Sequence, residues 1–222
     1  MKKLESSLKN MVGVLLAITV ISALTLSSVY SVTKDPIEKS KTVKQQNAIK
    51  EVIPGFDHLA TPEKISLNSG DTLTIYKAYD KDNVFIGAAV ESFSKKGFGG
   101  EIKVMVGFDK EGNIINYSVL EQKETPGLGT KMVDWFKTPI GNQDIRGKNP
   151  AKNNLTVKKD GGEVDAITAA TISSRAFLDA IHNAYAAYSR NFENKEENKI
   201  DSESGASKIE HQDSTKKDSM NN

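Results

Sequence analysis

Between Met11 and Tyr30 the chain reads MVGVLLAITVISALTLSSVY, twenty residues without a single charge. Coiled as a helix rising about 1.5 Å per residue, this segment matches the roughly 30 Å hydrocarbon core of a bilayer. Its hydroxyls, Thr19, Ser22, Thr25, Ser27 and Ser28, can bond back to the helix backbone and so need no water. The segment predicts a transmembrane helix over 11–30. Lys2 and Lys3 in front of it suit a cleaved signal peptide. The apolar run exceeds the usual 7 to 15 residues or so of such a peptide, however, and no A-x-A site precedes Ser31, so an uncleaved anchor is expected. Lys2, Lys3 and Lys9 precede the span while Lys34, Lys39, Lys41 and Lys44 follow it, so counting basic residues does not orient it.

The rest of the chain divides around this span. Residues 1–10 form a short segment expected on the cytoplasmic side, 31–50 a polar stalk or juxtamembrane helix, and 51–190 a folded domain. Residues 191–222 are rich in Glu, Lys, Ser, Asp and Asn with one aromatic, Phe192, and predict a disordered tail. About 160 residues between span and tail suffice for one domain. The chain has no cysteine, which excludes disulfides, thiolate zinc sites, protein-held iron–sulfur clusters and a cysteine nucleophile. Redox chemistry, if present, needs an organic cofactor. Thirty Lys+Arg against 29 Asp+Glu give a net charge of +1, so nucleic acid is not an expected partner. His58, His182 and His211 lie too far apart for a paired-ligand motif, and no metal site is expected.

Within the domain, Leu73, Ile75, Tyr76 and Tyr79 suggest one strand and Val84 to Val90 a second. Ile102, Val104, Val106 and Phe108 alternate as a third, and a turn at Lys110-Glu111-Gly112-Asn113 leads to a fourth through Ile115, Tyr117 and Val119. So short a connection makes an antiparallel hairpin. Met132, Trp135 and Phe136 fit a short helix closed by Pro139. Leu155, Val157 and Val164 around Asp160-Gly161-Gly162 suggest another hairpin. Phe177, Ile181, Ala184, Tyr185 and Tyr188 form the buried stripe of a helix ending near Arg190. The fold class is α+β: an antiparallel sheet with packed helices, preceded by one transmembrane helix.

Three segments stand out. Lys96-Gly97-Phe98-Gly99-Gly100-Glu101 connects two strands, and its glycines allow close approach of backbone to a ligand or to another segment. Glu124-Thr125-Pro126-Gly127-Leu128-Gly129 carries the Pro-Gly of a type II turn. Asp165-Ala166-Ile167-Thr168-Ala169-Ala170-Thr171-Ile172-Ser173-Ser174-Arg175 places four hydroxyls at a helix start. Their simplest reading is as caps and first-turn residues. The same unpaired amides and partial positive charge also suit a phosphate. Neither G-x-x-x-x-G-K-[ST] nor G-x-G-x-x-G is present, so common nucleotide clamps are not expected.

The third segment resembles the flavinylation motif, D-x-x-[ST]-G-A-T-x-[ST]-[ST], of the FMN-binding domain family. The anchor and the three segments occur in the same order in the G subunit of the Rnf (Rsx) electron transport complex. Ala169 stands where Gly is commoner, a change that a helical position would tolerate. The resemblance implies FMN joined through its phosphate to Thr171 by a separate flavin transferase. It further implies contacts from Thr168, Ala170, Ser173, Ser174, Gly99, Glu124, Thr125, Gly127, Leu128 and Gly129. Candidate walls for the flavin ring are the Gly97 to Gly100 loop, the Glu124 to Gly129 loop, and Trp135 or Phe136, aromatics that are more often core. Asp165 and Thr168 would serve transferase recognition or capping. The implied function is an electron relay in a bacterial inner-membrane complex that couples electron flow between ferredoxin and NAD to ion translocation. Its soluble domain would be external, and the other Rnf subunits would be its partners. Such a relay needs no catalytic residues of its own. The alternatives are the C subunit of the sodium-translocating NADH:quinone reductase, a stand-alone cell-surface flavin reductase, and an anchored module without cofactor.

Overall fold

The computed structural model describes residues 8–206. Residues 1–7 of the expected cytoplasmic segment and 207–222 of the expected tail lie outside the described residues. The chain forms two compact units, Met1–Asn47 and Ala48–Asn222.

Helix α1, Leu8–Val52, runs through both the expected span and the expected stalk. It is long and apolar enough to cross a membrane, and none of its apolar window is buried. Leu15, Leu16, Ile21, Leu24 and Leu26 all stand exposed on it. Its hydroxyls turn inward as expected: Thr25 Oγ1 donates to the Ile21 carbonyl at 2.8 Å and Ser28 Oγ to that of Leu24 at 2.8 Å. The helix also accommodates Pro36 in its interior, where proline has no N–H to give to the ladder.

The second unit is built on a six-stranded, wholly antiparallel sheet. Its strands are β1 His58–Leu59, β2 Glu63–Ser66, β3 Thr72–Tyr79, β4 Phe85–Ser94, β5 Ile102–Phe108 and β6 Ile114–Glu121. The order is β1-β3-β4-β5-β6, with β2 also paired to β3. Strands β1 and β2 share one edge of β3 at opposite ends, His58 facing Tyr79 and Ser66 facing Thr72. At two and four residues they are too short to leave a periodic signal in the sequence.

Both faces of the sheet are covered. Ile102, Val104, Val106 and Phe108 of β5 point to the face packed by the C-terminal helix. Met105 points to the other face, with Ala78, Ala89 and Leu120, where Ala48, Ile49, Val52 and Ile53 cover it. The register of β6 slips twice against β5, between Lys103 and Val104 and between Gly107 and Phe108. Because such a slip carries one residue to the opposite face, Ile114 rather than the expected Ile115 joins Tyr117 in the main core. Ile115 packs on the second face.

From β6 to the last helix the chain is mostly irregular. A 3₁₀ turn at Gly129–Lys131 leads into α2, Met132–Trp135. The expected hairpin around Asp160 does not form. The chain curls into a 3₁₀ turn at Lys158–Asp160, leaving one parallel bridge between Val157 and Val164. Helix α3, Thr171–Ala206, then crosses the sheet. Its small residues Ala176, Ala180, Ala184 and Ala187 are fully buried, and they bring helix and strand close enough for Ser92 Oγ to donate to the Ala180 carbonyl at 2.8 Å. The packed part extends past the expected end at Arg190. Asn191 Nδ2 donates to Glu63 at 2.7 Å, and the Phe192 ring lies 4.7 Å from that of Tyr188.

The Tyr188 hydroxyl donates to the Asp109 carbonyl at 2.7 Å, tying α3 to the β5–β6 turn. Burial, with the Asp109 charge nearby, pushes its phenol from 10.0 up to about 12. A raised folded-state pKa means that the contribution of the buried neutral phenol to stability is complete below about pH 10 and is lost as pH rises towards about 12. The thermal midpoint should therefore fall across that window. Tyr188→Phe should be less stable at neutral pH by about 1 kcal/mol and should fall less steeply across the same alkaline range. Thermal unfolding followed by circular dichroism checks both.

Candidate functional site

Three loops meet at the N-terminal end of α3. The β4–β5 connection brings Phe98, the segment after β6 brings Thr125, Leu128 and Gly129, and the start of α3 brings residues 169–173. Together they line a cleft of about 340 Å³, within the range of small-molecule sites, roughly 300 to 1,000 Å³.

Each loop has a local cause. Around Pro126-Gly127 the Leu128 N–H donates to the Thr125 carbonyl at 3.1 Å, with Gly127 at φ +75°. This is the type II turn expected from the sequence, and it leaves Leu128 38% exposed. At the helix start the Ser174 hydroxyl donates to the Ala170 carbonyl at 3.0 Å and accepts the Ile167 N–H at 2.9 Å. Ser174 is fully buried and closes the turn from inside. Ser173, also buried, donates its hydroxyl to the Glu124 carboxylate. Thr168 is exposed and outside the lining. Thr171 is half-buried, lines the cleft, and has no side-chain hydrogen bond among the described residues. The N–H groups of the first helical turn point out of the helix without intrahelical partners, carrying partial positive charge.

Ala169 departs from the expectation of a helical position. Its φ is +62°, in the left-handed region, and α3 begins only at Thr171. A Cβ there crowds the neighbouring carbonyl and costs roughly 1 to 2 kcal/mol, a penalty glycine does not carry. The glycine of the motif thus has a conformational reason that this chain forgoes.

Of the residues singled out from the sequence, Thr125, Leu128, Gly129, Ala170, Thr171 and Ser173 line the cleft. Gly99, Glu124 and Ser174 are not in the lining, Gly127 sits in the turn, and Thr168 lies outside. Phe98, from the Gly97 to Gly100 loop expected as a wall, also lines it, as do Ala169 and Ile172, which were not singled out as contacts. Phe98 is 69% and Ile172 48% exposed. An aromatic set among glycines and an isoleucine set among hydroxyls are the signals that the sequence offers for them. Trp135 and Phe136 do not line the cleft. Phe136 is buried and stacked on Phe177 at 4.5 Å, while Trp135 Nε1 donates to the Asp165 carbonyl at 2.9 Å.

Asp165 acts on the preceding loop. Its carboxylate pairs with Lys158 Nζ at 2.7 Å and accepts the Asn142 N–H at 2.7 Å. Lys158 first, and then that N–H, hold its carboxyl below the usual range. Arg175, one turn beyond Thr171, is bound twice by Asp160, at 2.7 and 2.6 Å.

An apolar rim of Phe98, Leu128 and Ile172 beside a free hydroxyl and a helix start is a donor set suited to a planar ring carrying a phosphate. Residues 97–186, which span all three loops, match the FMN-binding domain family. The G subunit of the ion-translocating oxidoreductase complex of Aliivibrio fischeri is 31% identical over 185 residues, covering 78% of this chain and 86% of that protein. The protein of the same name from Yersinia pestis is 32% identical over 183 residues, with the same coverage. That from Pasteurella multocida is 33% identical over 183 residues, covering 76% and 88%. This chain belongs to the G-subunit family. With the apolar span of α1, family membership makes it a membrane-anchored protein carrying an FMN-binding domain.

Replacing Ala169 by glycine should relieve the left-handed strain. For this member of the G-subunit family the stability gain should be about 1 kcal/mol, a rise in thermal midpoint of roughly 2 to 4 °C for a domain of this size. Differential scanning calorimetry on the wild type and Ala169→Gly checks it.

Proposed function

We propose that this chain is the FMN-bearing electron relay of a membrane-bound, ion-translocating oxidoreductase complex, with the flavin phosphate esterified to Thr171. One observation carries the assignment. Of the four hydroxyls at the helix start, that of Thr171 alone both lines the cleft and lacks an intramolecular hydrogen bond among the described residues. Ser173 and Ser174 have theirs committed to Glu124 and Ala170, and Thr168 lies outside the lining. A phosphodiester at Thr171 would keep one negative charge against the first-turn amides, an interaction of roughly 0.3 to 1 kcal/mol. That is too weak to retain a cofactor, so retention falls to the covalent bond, made by a separate flavin transferase.

Phe98, Leu128 and Ile172 would flank the ring and leave an edge open to a neighbouring protein of the complex. FMN, when bound, would supply the chemistry, since a flavin can accept and pass electrons one at a time. The chain's own residues hold and orient the group and need no acid, base or nucleophile for the transfer itself. In the complex, this relay would serve electron flow between ferredoxin and NAD coupled to ion movement, with the domain on the external side of the bacterial inner membrane and the other subunits as its partners. The names of the matched relatives, complex subunits of about this length, support this reading.

Coexpression with a flavin transferase followed by a denaturing gel under ultraviolet light tests it. The wild-type band should fluoresce and the Thr171→Val band should be dark. A dark wild-type band beside an active transferase overturns the carrier, and a fluorescent Thr171→Val band overturns the site. A reporter fused after Lys34 should report from the external side of that membrane.

A further inference from the structure

We infer that Glu124 is the positioning residue that assembles the cleft and sets where the Thr171 hydroxyl stands. It is 4% exposed, and no cation pairs with it among the described residues. Buried carboxylates are rare unless paired, because ordinary packing gives no return for removing a charge from water. Here the charge is met by neutral donors on either side. Oε1 accepts the Gly99 N–H at 2.9 Å, and the other carboxylate oxygen accepts the Ser173 hydroxyl. One carboxylate on the segment after β6 thereby grips both the β4–β5 loop and the first turn of α3.

The surrounding glycines fit this reading. A Cβ on Gly97 would run into the Gly100 carbonyl and stand 2.7 Å from Oε1, and one on Gly129 would meet the Ser173 hydroxyl at 2.5 Å, the Glu124 Cβ at 2.7 Å and Oε2 at 2.9 Å. One on Gly99 would run into the Lys123 carbonyl. Three glycines that could be read as loose loop residues are instead the space in which Glu124 and its own backbone sit. The Gln122 side chain adds support by accepting the Glu124 N–H at 2.7 Å. Ser173 is two residues from Thr171, so fixing the Ser173 hydroxyl fixes the rotation of the turn that presents Thr171. It also keeps a second hydroxyl of the lining engaged.

The consequence for flavin attachment rests on the function proposed above; the assembly of the loops does not. The test uses the full chain, coexpressed with its transferase, in Glu124→Ala, Glu124→Gln and Ser173→Ala. Covalent flavin per protein is read by intact mass, and hydrogen exchange at the Gly99 amide is read separately. Glutamine can accept from Gly99 through its oxygen and donate to the Ser173 hydroxyl through its nitrogen, so Glu124→Gln should keep near wild-type flavin content and Gly99 protection. Glu124→Ala should speed Gly99 exchange and cut flavin content, each about tenfold or more, as expected for losing hydrogen bonds to a charged acceptor. Ser173→Ala, which removes one arm, should lower flavin content less than Glu124→Ala and leave Gly99 protected. Wild-type values in Glu124→Ala would overturn the inference, and so would equal losses in Glu124→Gln and Glu124→Ala. Should Glu124→Ala not fold, the glutamine and serine variants still decide: loss of Gly99 protection in Glu124→Gln, or unchanged flavin content in Ser173→Ala, overturns it. A wild type without flavin would instead overturn the function, while the Gly99 exchange would still judge the positioning.

Discussion

The packing of α3 across one face of the sheet holds the second unit together. Its buried alanines remove bulk from the contact, and the large side chains Phe177, Ile181 and Tyr188 fill the space on either side of them. Close approach lets polar groups cross the interface: Ser92 reaches the Ala180 carbonyl and Asn183 the Phe93 carbonyl. Burying an aromatic or aliphatic side chain here contributes on the order of 2 kcal/mol, and the stripe continues from the first turns of the helix to Tyr188. Because the helix is packed from its first turns to Phe192, its first turn is held as well. The core thus places the backbone around Thr171, and the Glu124–Ser173 contact is left to set the rotation of that turn.

Much of this was legible in the sequence because it depends on periodicity. The alternation of Ile102 to Phe108, the helical stripe from Phe177 to Tyr188 and the uncharged run from Met11 to Tyr30 each announce their element. What escaped is set by tertiary contact. Strands β1 and β2 pair along one edge of β3, and the bulges that flip Ile115 arise in the pairing of β6 with β5. The turn at Lys158–Asp160 prevails over the hairpin that Val157 and Val164 alone would favour.

The site divides similarly. The hydroxyl-rich helix start, the Pro-Gly turn and the glycine loop can be recognised as strings of letters, and the structure brings all three to one cleft. Their roles cannot be read in the same way. Glu124 lies buried between two loops, a placement that its letter does not reveal. Ala169 fits a helical position and proves left-handed, since a backbone angle leaves no trace in the residue's own chemistry.

The same division of labour separates holding the cleft from facing it. Backbone, glycines and one buried carboxylate supply the frame, whereas Phe98, Leu128 and Ile172 project outward and support little of the interior. On the function proposed above, those three positions would be the handles through which colour or potential of a bound chromophore could be retuned by directed evolution, largely independent of whether the polypeptide folds.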